Sequence, residues 1–172
     1  MAARLRITGG MLRGRSSALD VPDGVRPTSE RVREALFSIV GQDLVGVRFL
    51  DACAGSGLIA AEAWSRGAEV IAFEAEPPIA RQARARLDAL GAIVDLRVAD
   101  ALQAPLPIVD VAFVDPPYAQ DPAGWLETVG GVASLLVYES DGRREAPGRA
   151  GPLTLDRVRR YGDSALWVYG LA

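Results

Sequence analysis

The stretch FLDACAGSGLIAAEA, residues 49–63, decides the fold. Its apolar opening closes on an acid, Asp51, and passes through a turn holding Gly55 and Gly57 into a helix-forming segment. Glycine is needed where the backbone takes a positive φ or must approach a ligand closely. The helix that follows offers free N–H groups in its first turn. The run GSGLIA fits the spacing G-x-G-x-x-G/A, and Glu74 stands 17 residues beyond Gly57, at the end of the next apolar run. An acid at that place can hold the ribose of NAD or that of S-adenosylmethionine. The turn therefore points to an adenosine-type ligand and leaves its identity open.

Outward from this turn, short apolar strands alternate with helices. Strands are expected at residues 47–51, 69–74, 93–98, 109–114 and 132–139, with helices at 57–66, 77–90 and 121–129. Residues 153–160 and 165–171 read as a closing hairpin, after a Gly/Pro/Arg-rich loop at 141–152. Alternating β and α units imply a parallel sheet covered by helices on both faces. Ahead of this body, residues 4–19 read as a small hairpin around Gly9–Gly10, with arginines on its open face. A helix follows from Thr28, taken as its N-cap, to Gly41, with Val32, Ala35, Leu36, Ile39 and Val40 at helical spacing.

A second motif, VDPPY at residues 114–118, ends the strand at 109–114. Proline has no backbone N–H, so the strand must stop there. In a doubly wound sheet the strand order reverses beside the first strand, and ligands bind at that switch point. The strands ending in Asp51 and Asp115 should be the two neighbours, so DPPY should enter the crevice lined by the glycine turn. A loop that holds out a carboxylate, a proline carbonyl and a phenol suits the methylation of a planar exocyclic amine. Such an amine is a poor nucleophile because its lone pair is delocalised into the ring. Asp115 and the Pro116 carbonyl can accept its N–H protons, Pro117 stiffens the loop, and Tyr118 can stack on the base. The base must leave its helix to reach such a pocket.

Composition narrows the chemistry further. The 172 residues are 49% apolar, which suits a cored domain, and no run is long enough to span a bilayer. The single cysteine, Cys53, excludes an internal disulfide and reads as a small filler, since no histidine exists to activate it. The absence of histidine also removes histidine bases and histidine–zinc sites. All 19 basic residues are arginine. Residues 1–48 hold eight Arg against five acids, whereas residues 49–172 hold eleven Arg against seventeen acids. A basic head on an acidic body suggests a local phosphate contact, with a solvated charged face as the plainer alternative.

With both motifs placed, the chain resembles the class I S-adenosylmethionine-dependent methyltransferases with a (D/N)PP(Y/F) signature. More closely, it resembles the bacterial 16S ribosomal RNA guanine-N2 methyltransferases of the RsmD type. RITGGMLRGR, RPTSERVREALFSIV, LDACAGSGLIAAEAWSRGA, VIAFEAE, FVDPPY and VYES follow in that family's order. The resemblance implies an α/β fold with a doubly wound, mostly parallel, seven-stranded, Rossmann-like sheet. It implies an RNA-facing hairpin-plus-helix extension at residues 1–44 and a catalytic domain at 45–172. S-adenosyl-L-methionine would be the cofactor. Asp51, Ala52, Gly55 and Gly57 would line its methionine and adenosine parts, Glu74 would bind the ribose, and Asp100 with Ala101 would face the adenine. Asp115, Pro116, Pro117 and Tyr118 would carry the target guanine. Thr28, Arg31 and Arg33 would help close the site and meet RNA phosphates, and Arg13 and Arg15 of the hairpin would bind the RNA.

The expected partner is 16S ribosomal RNA within the small ribosomal subunit, met by a cytoplasmic monomer that needs neither metal nor membrane. The alternatives are a DNA adenine-N6 methyltransferase, which shares DPPY, an NAD(P)-binding oxidoreductase, suggested by GSGLIA, and a non-catalytic RNA-binding factor. The segment after Tyr118 is short for the family, and residues 141–152 are rich in glycine and arginine, so both regions bear on which nucleotide is met.

Overall fold

The computed structural model describes residues 5–17 and 25–172. Arg4 and residues 18–19 of the expected hairpin lie outside the described residues. The chain begins with β1 (Leu5–Arg6), β2 (Ser16–Ser17) and α1 (Glu30–Val40). It continues through β3 (Arg48–Asp51), α2 (Leu58–Ser65), β4 (Glu69–Glu74), α3 (Pro77–Leu90), β5 (Asp95–Val98) and β6 (Val109–Val114). Helix α4 (Pro122–Gly130) leads to β7 (Ala133–Asp141), β8 (Arg149–Ala150), β9 (Leu153–Tyr161) and β10 (Ser164–Gly170).

The main sheet has the order β5-β4-β3-β6-β7-β10-β9-β8. The pairs from β5 through to β7 are parallel, and those from β7 to β8 are antiparallel. Eight strands therefore stand where seven were expected. The extra one is β8, two residues inside the stretch expected as a loop, paired as Arg149↔Thr154 and Ala150↔Leu153. Two glycines permit it. Gly151 takes φ +54 at the reversal, and a Cβ on Gly130 of α4 would stand 2.3 Å from the Ala150 carbonyl oxygen.

Side-chain alternation along the strands divides the core into two layers. Phe49, Val111, Phe113 and Val137 point to the layer shared with α1, α2, α3 and the N-terminal hairpin. Leu50, Ala112, Val114, Leu136 and Tyr138 point to the layer beneath α4. The hairpin is fastened to the end of α2, where helix carbonyls lack intrahelical donors. The Met11 N–H donates to the Ser65 carbonyl at 2.8 Å, and the Ser65 hydroxyl donates to the Gly9 carbonyl at 2.7 Å.

Helix α1 differs from expectation at two points. Its N-cap is Ser29, whose Oγ accepts the Val32 N–H at 3.2 Å, and not Thr28. Its buried face is Val32, Arg33, Leu36 and Phe37. Arg33 is thus a correction to the phosphate-binding set. It is 3% exposed, its Nε pairs with Glu62 at 3.2 Å, and its terminal nitrogens donate to the carbonyls of Thr28 and Arg6. Glu62, wholly buried, also meets Arg66 at 2.6 Å. One carboxylate held between two guanidiniums ties α1 and the hairpin to α2, and an unpaired charge there would be costly. No described helix is long and apolar enough to cross a membrane.

Candidate active site

The order β4-β3-β6 means the chain leaves β3 for one side of the sheet and returns on the other, which is the switch point. Register makes the strand ends coincide. Asp51 pairs with Phe113, and the Ala52 N–H donates to the Phe113 carbonyl at 3.0 Å. On the other side, the Ala54 N–H donates to the Phe73 carbonyl at 2.8 Å. The glycine turn is therefore held by both neighbouring strands. Within it Gly55 has φ +51 and Gly57 φ +79, values that favour glycine. From α3, the buried Arg86 donates to the Ser56 carbonyl at 2.6 Å and fixes the turn from below.

The turn and the DPPY loop face one cavity of about 740 Å³. Its wall includes Ala52, Gly55, Glu74, Asp100, Ala101 and Thr28 together with Asp115, Pro116, Pro117 and Tyr118. At one end, Glu74 accepts the Gly55 N–H at 2.8 Å and the Glu76 N–H at 3.0 Å. Exposed Asp100 accepts the Leu102 N–H at 2.9 Å, beside buried Ala101. At the other end, the Thr28 hydroxyl donates to Asp115 Oδ2 at 3.4 Å. The Tyr118 hydroxyl bonds Ser164 Oγ at 3.2 Å. Arg144 donates to the carbonyls of Tyr118 and Gln120, which fixes the loop past the prolines.

Not every expected residue reaches this wall. Gly57 shapes the turn without lining the cavity, and Asp51 is 1% exposed and sits behind it. Neither Asp51 oxygen has a hydrogen-bond partner of good geometry. Burial pushes its pKa up to about 7; the backbone amides of Cys53 and Ala60 oppose this in part, and the charge of Glu74 adds to it. Burial, followed by the charges of Asp51 and Asp115, also pushes the Cys53 thiol up, so it is a poor nucleophile. Arg13 and Arg15 are exposed on the hairpin, away from the wall. The Arg31 guanidinium lies 5.5 Å above the ring centre of Tyr161, a residue of the cavity wall.

The structure adds residues that the motifs did not single out. Glu139, two residues before the end of β7, is 5% exposed and lines the cavity beside Asp115, one step beyond the pair Val114↔Tyr138. Burial, then the charges of Glu139 and Asp51, holds Asp115 well above the usual carboxylate range. Burial raises Glu139 too, and the neighbouring Ser164, Asp115 and Arg26 oppose it. The signal for Glu139 was present: an acid closing an apolar strand next to the one that closes on Asp115.

A reversed α/β sheet whose glycine turn and DPPY loop meet in one crevice defines a class I S-adenosylmethionine-dependent methyltransferase. The left-handed glycines, the acid at the end of β4 and the size of the cavity all fit that cofactor. The chain belongs to the family described as conserved hypothetical protein 95, whose model matches residues 5–170. It is 32% identical over 181 residues to ribosomal RNA small subunit methyltransferase D of Escherichia coli, spanning 98% of this chain and 90% of that protein. The solved structure of yhhF, a proposed methyltransferase of Escherichia coli, superposes with a TM-score of 0.82 at 30% identity, covering 97% of both chains. An RNA methyltransferase from Salinibacter ruber, solved with S-adenosyl-L-homocysteine, shares the fold with a TM-score of 0.65 at 18% identity, covering 84% of this chain and 92% of that one.

Proposed function

We propose that this protein transfers the methyl group of S-adenosylmethionine to the exocyclic N2 amine of a guanine in 16S ribosomal RNA, with the small-subunit particle as substrate. The observation that carries this reading is the single cavity into which both motifs open. Gly55, Ala52 and Ala101 would line the cofactor, with Glu74 at its ribose and Asp100 at its adenine edge. The cofactor supplies an electrophilic methyl on sulfur. The protein's part is to present the amine. The Pro116 carbonyl and Asp115 accept the N2–H protons, which localises the lone pair, and Tyr118 stacks on the base. Because the prolines hold these acceptors in place, little reorganisation is needed as the bond forms.

Residues 1–44 would serve as the RNA-facing extension, with Arg13, Arg15 and Arg31 near phosphates. A ribosomal substrate implies a cytoplasmic reaction, and we take the protein to act as a monomer without a metal. The test is incubation with labelled S-adenosylmethionine and either unmethylated small subunits or DNA. Label in 16S RNA recovered as N2-methylguanosine supports the reading. Label confined to DNA adenine overturns it in favour of the DNA methyltransferase alternative.

A further inference from the structure

Glu139 carries more information than a neighbour of the DPPY loop needs. Its Oε2 is buried in the cavity region with no hydrogen bond of good geometry, although Ser164, Asp115 and the charge of Arg26 lie near the carboxylate. A buried, unmatched carboxylate oxygen costs free energy unless something donates to it. No described residue of the wall makes a hydrogen bond to it. Arg26 lines the wall and its charge acts on Glu139 without a hydrogen bond to Oε2, and Thr28 donates to Asp115.

A flipped base is read by hydrogen bonds along its Watson–Crick edge. Guanine presents two adjacent donors there, N1–H and the N2 amine. Adenine presents an acceptor, N1, beside its N6 amine. A wall holding Asp115, the Pro116 carbonyl and a free carboxylate oxygen one strand away is matched to two adjacent donors. The same wall sets a lone pair against the N1 of adenine. A site built to hydrogen-bond a substrate group rejects an analogue lacking it far more strongly than an apolar pocket does.

From this geometry we infer that Glu139 selects guanine, accepting the N1–H of the target base through Oε2 while the N2 amine is held on Asp115 and Pro116. The inference rests on the guanine-N2 reading above. Glu139 is a specificity-determining residue in this account, and methyl transfer itself runs through the DPPY loop.

The test uses small subunits reconstituted from unmodified 16S transcript, with the methylated position first mapped by mass spectrometry. A second preparation carries 2-aminopurine at that position. This base keeps the N2 amine and loses the N1–H. Single-turnover rates are measured with labelled S-adenosylmethionine for the wild type and for Glu139→Gln, a near-isosteric change. The wild type should prefer guanine by about a hundredfold, the discrimination of one charge-assisted hydrogen bond. Glutamine can offer oxygen to N1–H or its amide N–H to a bare N1, so the preference should fall to about a few-fold. The affinity for S-adenosylhomocysteine should stay within about twofold, which verifies the fold of the variant. A variant that keeps the wild-type ratio, even with both rates lowered, overturns the inference. If the wild type makes no N2-methylguanosine, the parent reading falls and this one with it. If N2-methylguanosine forms and the ratio does not change, only this inference falls.

Discussion

Replacing Asp51 by asparagine should change how stability depends on pH in a calculable way. The carboxyl is 1% exposed and has no well-formed hydrogen bond, and its pKa is raised from 3.8 to about 7. A group whose pKa is raised on folding favours the fold fully below its unfolded pKa and loses that contribution as pH rises through the folded value. A shift of about three units, at about 1.4 kcal/mol each, amounts to roughly 4 kcal/mol lost between about pH 4 and pH 8. The burial is complete, so no solvent discount applies. Asp115 and Glu139 are shifted in the same direction and add a slope to both proteins, which in the variant lacks the part of the Asp115 shift that comes from the Asp51 charge. The diagnostic is therefore the difference between wild type and Asp51→Asn, each unfolded in urea without cofactor at about pH 5 and about pH 8. The variant should gain about 2–3 kcal/mol relative to the wild type between these two pH values, the part of that loss that falls above pH 5. A difference that stays constant across that range would refute the claim that burial raises the Asp51 pKa to about 7.

Asp115→Ala should lower methyl transfer by about a hundredfold or more, the scale of losing one preorganised acceptor, with S-adenosylhomocysteine affinity unchanged by calorimetry. Unaltered turnover would remove the DPPY loop from the chemistry. Glu62→Ala should cost about 3–5 kcal/mol in urea unfolding, because it leaves Arg33 and Arg66 buried without their shared carboxylate. A loss below about 1 kcal/mol, typical of surface pairs, would contradict the structural role given to that triad. Reversing the charge of exposed Arg13 and Arg15 should weaken RNA binding and flatten its salt dependence while cofactor affinity holds. Equal loss of cofactor affinity would make the hairpin part of the site's framework only.

Where punctuation residues bound an element, the sequence was enough. Strand 69–74 and strand 109–114 lie between glycine or proline breaks, and helix 77–90 opens on Pro77 and ends at Gly91; each has the bounds that its residues imply. The switch point followed from one general rule about strand order, because both motifs announce their strand ends. What escaped depends on contacts between distant residues. Strand β8 depends on Gly151 at its reversal and on Gly130, which lets α4 settle on Ala150. Thr28 and Ser29 are adjacent hydroxyls that can both cap a helix, and Asp115, 87 positions away from Thr28, draws it off to the cavity. Arg33 reads as a surface charge until Glu62 is brought beneath it, although its spacing to Phe37 already puts it on the helix's apolar face. Asp51 was legible as the end of a strand. Its withdrawal behind the cavity wall was not, since that follows from the turn closing over it.

A crystal structure with S-adenosylhomocysteine bound tests the central claim most directly. The account predicts the nucleoside against Gly55, Glu74 and Asp100, with the sulfur facing the Asp115 and Pro116 oxygens across a gap of about one base amine, roughly 3–4 Å from where that amine must lie. A ligand seated elsewhere, or a sulfur turned away from the DPPY loop with closed protein between them, would contradict it.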